Sequence, residues 1–276
     1  MRLGVVEPSA PWPTIRAVNI AEIASETWAA KLLPPPLRRR AAKGAGRGKY
    51  DKWGRWLNGA EGETNGKITN EVIAMHARRV PWREITQLAA NDSLPAPGSY
   101  WWEWVVDCYV VTQSIAIRRQ LDQQANAISL GRMLREMIEH PGAVTRELWL
   151  SSWESEAEHD VRRANRQWDE KFASAADPDS LNPELPANDL RALEVGARQM
   201  REYVNRHVAH MDRRGSKSLP TYNDIDAAID LIGMIFHRYH GLLTASSYTQ
   251  LEPAWQDDWA APLRTAWLPP VERRRR

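Results

Sequence analysis

Apolar residues recur every three or four positions through two long stretches of this chain, and that periodicity constrains the fold more than any other feature. One stretch carries Leu190, Leu193, Ala197, Met200, Val204, Val208 and Met211, and the other Ile225, Ile229, Ile232, Phe236 and Tyr239. At about 100° per residue, each set forms one stripe along an α-helix. No strand alternation or hairpin signal of comparable strength competes. Residues 69 to 90 predict a further helix, broken or kinked at Pro81. Residues 99 to 124 predict a central helix capped by Ser99, with Trp101, Val105, Cys108, Thr112 and Ile115 as its inward stripe. Ser129 caps a short helix ending before Pro141, and Glu154 to Phe172 reads as a charged, exposed helix anchored by Trp153 and Trp168. The run 177–188, rich in Pro, Asp and Asn, predicts a loop, with Asn188 or Asp189 capping the helix that follows. The expected fold class is all-α.

Composition narrows the class. The 276 residues are 43% hydrophobic and 26% charged, enough for one substantial core and unlike a disordered chain. Cys108 stands alone in an apolar run, which excludes an intramolecular disulfide and reads as a buried structural thiol in a reducing compartment. The first residues lack the apolar core of a secretory signal, and no stretch approaches the roughly 20 apolar residues of a membrane span. A cytoplasmic protein with no membrane partner is expected. The net charge of +2 hides two basic clusters, Arg38 to Arg55 and Arg273 to Arg276, both suited to phosphate contact. The plainer reading of the first is a solvated linker, because it follows Pro34-Pro35-Pro36 and contains Gly44, Gly46 and Gly48. Lys43 and Tyr50 occupy the required Gly and hydroxyl positions of a phosphate loop, so that pattern fails. The 14 Trp read mainly as packing residues, an aromatic platform for base stacking being the alternative.

The chemistry concentrates between residues 203 and 212, where Tyr203, Asn205, Arg206, His207, His210 and Asp212 fall near the end of the first striped helix. On an ideal helix Tyr203, Arg206 and His210 share one face and Arg201, Asn205 and Asp212 another. An imidazole there could take the proton from a ribose 2′-hydroxyl, a guanidinium from Arg206 or Arg201 could match two phosphate oxygens, and Asn205 could position either group. The structural alternative for His210 is a cation that stabilises a helix C-terminus. Arg118 and Asp122, four apart, could present a guanidinium to the same cleft or form a buried salt bridge. His207 with His210, His237 with His240, and Glu156 with His159 have spacings that a metal could use. A second Glu-x-x-His unit is missing, and neither metal nor cofactor is expected.

This cluster resembles the HEPN superfamily, and in particular its abortive-infection branch. The run Ala116 to Asp122, with Arg118 and Arg119, is similar to that branch's central helices, as is Ile128-Ser129-Leu130-Gly131 with Arg132, Arg135 and Pro141. The ending Tyr239 to Thr244, then Asp258-Trp259 through Pro262 to Trp267, is similar to its C-terminal signature. The resemblance covers residues 66 to 270, a HEPN-like helical bundle ending in an irregular Trp- and Pro-containing segment. Residues 1–65 then form an N-terminal extension, partly irregular and basic, and residues 271–276 a basic tail. It implies a homodimer whose motif helices face each other across a metal-independent ribonuclease cleft, leaving 2′,3′-cyclic phosphate. It also implies a toxin or antiphage effector, with RNA, a second copy and a cognate antitoxin or defence partner as partners. On that resemblance the catalytic residues are His210, Arg206, Asn205 and Arg201. Arg118, Arg119, His207, Arg213 and Arg214 would contact RNA, supported by Asp122, Tyr203 and Asp212. In the family four to six residues separate the Arg from its His. For His210 those positions hold Asn205, Val204 and Tyr203. The alternative is a catalytically inactive HEPN-like module that binds RNA or protein.

Overall fold

The structure, a computed structural model, describes residues 47–60, 65–90, 99–153, 157–208, 219–253 and 258–261. The helices are α1 (Arg47–Asn58), α2 (Lys67–Ala90), α3 (Tyr100–Gln120), α4 (Leu130–Glu139), α5 (Arg146–Ser151), α6 (Glu158–Lys171), α7 (Glu184–Gly196), α8 (Arg198–Tyr203) and α9 (Tyr222–Thr244). A π-turn, Val204–Val208, prolongs α8. No strand forms among the described residues; Thr145 with Ser180 and Ala173 with Leu181 make isolated bridges only. The chain is all-α, as the periodicity predicts.

α9 is the central element, packed against α1, α2, α3, α5 and α7. Its five predicted stripe residues, Ile225, Ile229, Ile232, Phe236 and Tyr239, are all fully buried. Burial of side chains of this size contributes about 2 kcal/mol each. Thr221 and Asp224 close a reciprocal capping box at its start, which satisfies two backbone donors.

The joint between α3 and α4 explains the Ser-Leu-Gly run. Ser129 accepts from the Arg132 amide at 3.0 Å, and the Gln120 side chain accepts from the Leu130 amide at 3.1 Å. A Cβ on Gly131 would stand 3.1 Å from the Gln120 carbonyl oxygen, a tight approach that glycine avoids where α4 starts against the end of α3.

Several expectations need correction. Residues 47–58, read as part of a solvated linker, are helical, and Trp53 and Leu57 are fully buried in the common core. The Trp53 indole donates to Glu136 at 2.8 Å, and Lys52 and Arg132 pair with the same carboxylate. α2 runs unbroken through Pro81, which removes one donor without ending the helix. The buried stripe of α3 is Tyr109, Gln113, Ala116, Ile117 and Gln120, while Cys108 and Thr112 are exposed. That face is partly polar: Gln113 donates to the Met75 carbonyl at 2.9 Å, so an apolar pattern misses it. α7 starts at Glu184, inside the predicted loop, and the helix pauses at Ala197 before α8. Asp189 is no cap, since its buried carboxylate accepts from Arg238 and from the Tyr239 hydroxyl.

Candidate functional site

The C-terminal half of α3 lies against α8 and the π-turn, and the polar cluster is assembled where they meet. In a π-turn each carbonyl bonds five residues ahead, so the backbone is wider than an α-helix and successive side chains fan out differently. Val204 stays buried and keeps the segment on the core, while Asn205 and His207 are exposed. The π-turn departs from the ideal α-geometry on which the face assignment rests, and His210 and Asp212 of that assignment lie outside the described residues. Tyr203 pairs with His207, their rings stacked at 5.6 Å and 29°.

Arg118 links the two elements. Its Nε donates to Asn205 Oδ1 at 3.2 Å and its Nη1 reaches Asp122 Oδ2 at 3.5 Å. Asp122 also accepts from the Gln124 amide at 3.0 Å, which fixes the turn after α3 and with it the carboxylate. The Arg118 and Asp122 side chains are 35% and 26% exposed, so this is a half-open pair and not the buried salt bridge weighed above. A planar guanidinium held by two acceptors, with donors left over, is oriented to receive a further oxyanion. Arg119 points elsewhere, to Glu71 at 3.5 Å, and is largely exposed. Burial, then the charge of Asp107, pushes the Tyr203 hydroxyl up from its ordinary pKa, and the same two causes act on Tyr222.

The structure brings Arg118, Asp122 and Asn205 together and sets Tyr203 against His207. Arg201 is exposed one turn earlier, and Arg206 is half-buried with interactions of its own. His210, Asp212, Arg213 and Arg214 lie outside the described residues, as do the basic residues 38–43 and Arg273–Arg276. One signal went unread in the sequence. Arg201 and His207 are separated by five residues, inside the four-to-six interval.

Away from this cluster, Arg79 is buried and pairs with Asp230 and Glu252 while donating toward His76 Nδ1 at 3.2 Å. Burial first, and the Arg79 charge second, lower His76 to a pKa of about 4. Among the described residues no three His, Cys, Asp or Glu side chains are grouped to hold a metal ion, and no helix is long and apolar enough to cross a membrane.

Comparison with protein families gives a decisive match: the model of the HEPN AbiU2 family covers residues 63–261. The chain belongs to the HEPN AbiU2 family. No curated protein and no solved structure matched. In this HEPN AbiU2 chain the recognisable runs divide by task. Ser129, Gly131, Tyr239, His240 and Thr244 build joints: His240 Nδ1 meets the Ser246 carbonyl at 3.1 Å and Thr244 the Ser246 hydroxyl at 2.7 Å, closing the end of α9. Arg118 and Asp122 instead serve the surface beside the π-turn.

Proposed function

We propose that this HEPN-type abortive-infection protein is a metal-independent endoribonuclease acting at the face of Arg118, Asn205 and His207. The observation that carries the reading is the Arg118–Asn205 hydrogen bond, which holds a half-exposed guanidinium against a turn displaying an exposed imidazole. In the reaction, the 2′-oxygen loses its proton to an imidazole and attacks the adjacent phosphorus. The bond to the 5′-oxygen breaks, that oxygen takes up a proton, and the products are a 2′,3′-cyclic phosphate and a 5′-hydroxyl. Arg118, with Arg201, would stabilise the charge on the phosphorane oxygens, where preorganised donors act most strongly. His207, spaced from Arg201 as the family motif requires, and His210 are the two imidazoles proposed for proton transfer.

A composite site needs a second copy, and α3 offers it a surface. Trp101 and Trp104 are 36% and 57% exposed, on the helix that also carries Arg118. We propose a homodimer through this face.

The test is incubation of wild type, His207→Ala, His210→Ala and Arg118→Ala with end-labelled cellular RNA in excess EDTA. Loss of an essential proton carrier should slow cleavage by about 10²–10⁴. Loss in one histidine variant assigns the base to that residue. Undiminished cleavage in all three variants would overturn the site. The binding reading draws on the engagement of Arg118 by both Asn205 and Asp122, an arrangement suited to docking a phosphate without cutting. No cleavage by wild type, together with RNA binding that weakens as salt rises, would establish it.

A further inference from the structure

A second concave surface shares no residue with the π-turn site. It is a groove of about 780 Å³ walled by α5, α6 and α9, with Leu185 of α7 at one side. Trp149 and Phe172 are buried beneath it, and the apolar surface left open belongs to half-buried Trp153, Leu185, Gly241 and Ala245. Gly241 bares the α9 backbone, so a side chain from outside can come close to the helix there. α6 packs chiefly on α5, and the groove separates it from α9.

The charged groups of the lining are cations. Arg163 and Lys171 stand on α6 and Arg238 on α9, and no described lining residue carries a carboxylate. Arg163 pairs with Asp160 and lies over the Trp153 ring, and Arg238 pairs with Asp189. Lys171 has no acidic partner among the described residues. The surface is complementary to an apolar ridge of side chains with acid on its flank, the arrangement of an amphipathic helix laid in a groove.

Residues 1–46 lie outside the described residues, and their sequence holds such a ridge. Val18, Ala21, Ala24, Trp28 and Leu32 recur every three or four positions, and Glu22 and Glu26, four apart, fall on the flank beside Val18. The described chain also begins next to the groove. The hydroxyl of Tyr50, one turn into α1, lies 2.9 Å from the Ser152 hydroxyl and donates to the Leu242 carbonyl at 3.3 Å, and those two residues adjoin Trp153 and Gly241 of the lining. Residues 34–46 reach about 43 Å when extended, and Pro34-Pro35-Pro36 favours extension. A tether of this kind gives its segment an effective concentration of about 1 mM, which favours it over a free partner. We propose that residues 17–32 dock as a helix in this groove, the apolar stripe against its open walls and Glu22 and Glu26 toward Lys171, so that the segment ties α6 to α9.

The test is hydrogen exchange of the full chain, read by mass spectrometry, and it needs no cleavage activity. In wild type the amides of residues 17–32 are expected to be protected. Trp28→Glu should speed their exchange about tenfold or more, as loss of an aromatic anchor does, and speed exchange in α6, while unchanged exchange in α2 reports that the bundle is folded. Lys171→Glu should weaken the protection about two- to fivefold, and adding Glu22→Lys with Glu26→Lys should restore it. In a Cys108→Ser background, a bis-maleimide should join Ser25→Cys to Ser247→Cys, at the exposed rim of the groove, within one chain. A link found only between two copies would assign the groove to the segment of a second copy and overturn the proposal. So would the absence of any link, exposed amides at 17–32 in wild type, protection that survives Trp28→Glu, or its loss with no change in α6.

Discussion

At Asp189 two donors converge on one buried carboxylate, Arg238 and the Tyr239 hydroxyl, the latter at 2.8 Å. Burial first, then the Asp189 charge, raises the Tyr239 pKa far above its ordinary value, so the phenol remains a donor at every accessible pH. Asp189→Ala would leave that hydroxyl buried without an acceptor and Arg238 without its partner. The expected cost is about 2 kcal/mol, held down because Arg238 is a third exposed, and it would be measured as a shift in urea midpoint at constant slope. The role of this residue was illegible in the sequence. An Asp ahead of an apolar run has the signature of a helix cap, and its true partners lie about 50 residues away on α9. Arg118 and Asp122 show the opposite case: a four-residue spacing predicts their pairing, whereas the Asn205 contact depends on how α3 meets the π-turn.

Among the helices, α3 has two unlike faces. Trp101, Trp104, Cys108, Val111 and Ile115 follow alternating steps of three and four residues, the seam spacing of paired helices, yet its first three members are open to solvent. The inward face uses Gln113 and Gln120 where an apolar pattern would call for leucine, so reading by hydrophobicity selects the wrong side. Helix ends were more legible than helix faces, because Ser99 and Ser129 cap α3 and α4 as their position before an apolar run implies. If the outer seam joins two copies, Trp104→Arg is expected to convert a dimer to a monomer, measured as a halving of mass by light scattering. A short bis-maleimide should join the copies through Cys108 in wild type and not in that variant. Monomeric wild type would refute the seam as a dimer surface. The π-turn was not legible, since the apolar stripe continues through Val204 and Val208 regardless of how the backbone between them is wound.

Taken as one molecule, the protein buries His76 and His240 and keeps both neutral. Burial is the leading cause in each, and both His76 and His240 fall from the ordinary 6.5 to a pKa of about 4. The unfolded chain therefore binds protons first as pH falls. Their contribution to stability is present above pH 6.5, declines through the window from 6.5 to about 4, and is fully lost below it, at about 3 kcal/mol or less per ring. Melting temperature is expected to hold steady above neutrality and to fall across that window, before most carboxylates titrate; a flat profile down to pH 4.5 would refute it. Glu136 adds to the loss at still lower pH: burial alone would raise its pKa, but the Lys52 and Trp53 hydrogen bonds outweigh it and lower it from the ordinary 4.5. Both of those donors come from α1, which lies ahead of the family-matched residues 63–261. A gene fragment trimmed to the matched span would lack the helix that buries Tyr50, Trp53 and Leu57, and of Lys52, Trp53 and Arg132 Glu136 would keep Arg132 alone. The unit that inheritance marks out and the unit that folds differ here by one helix.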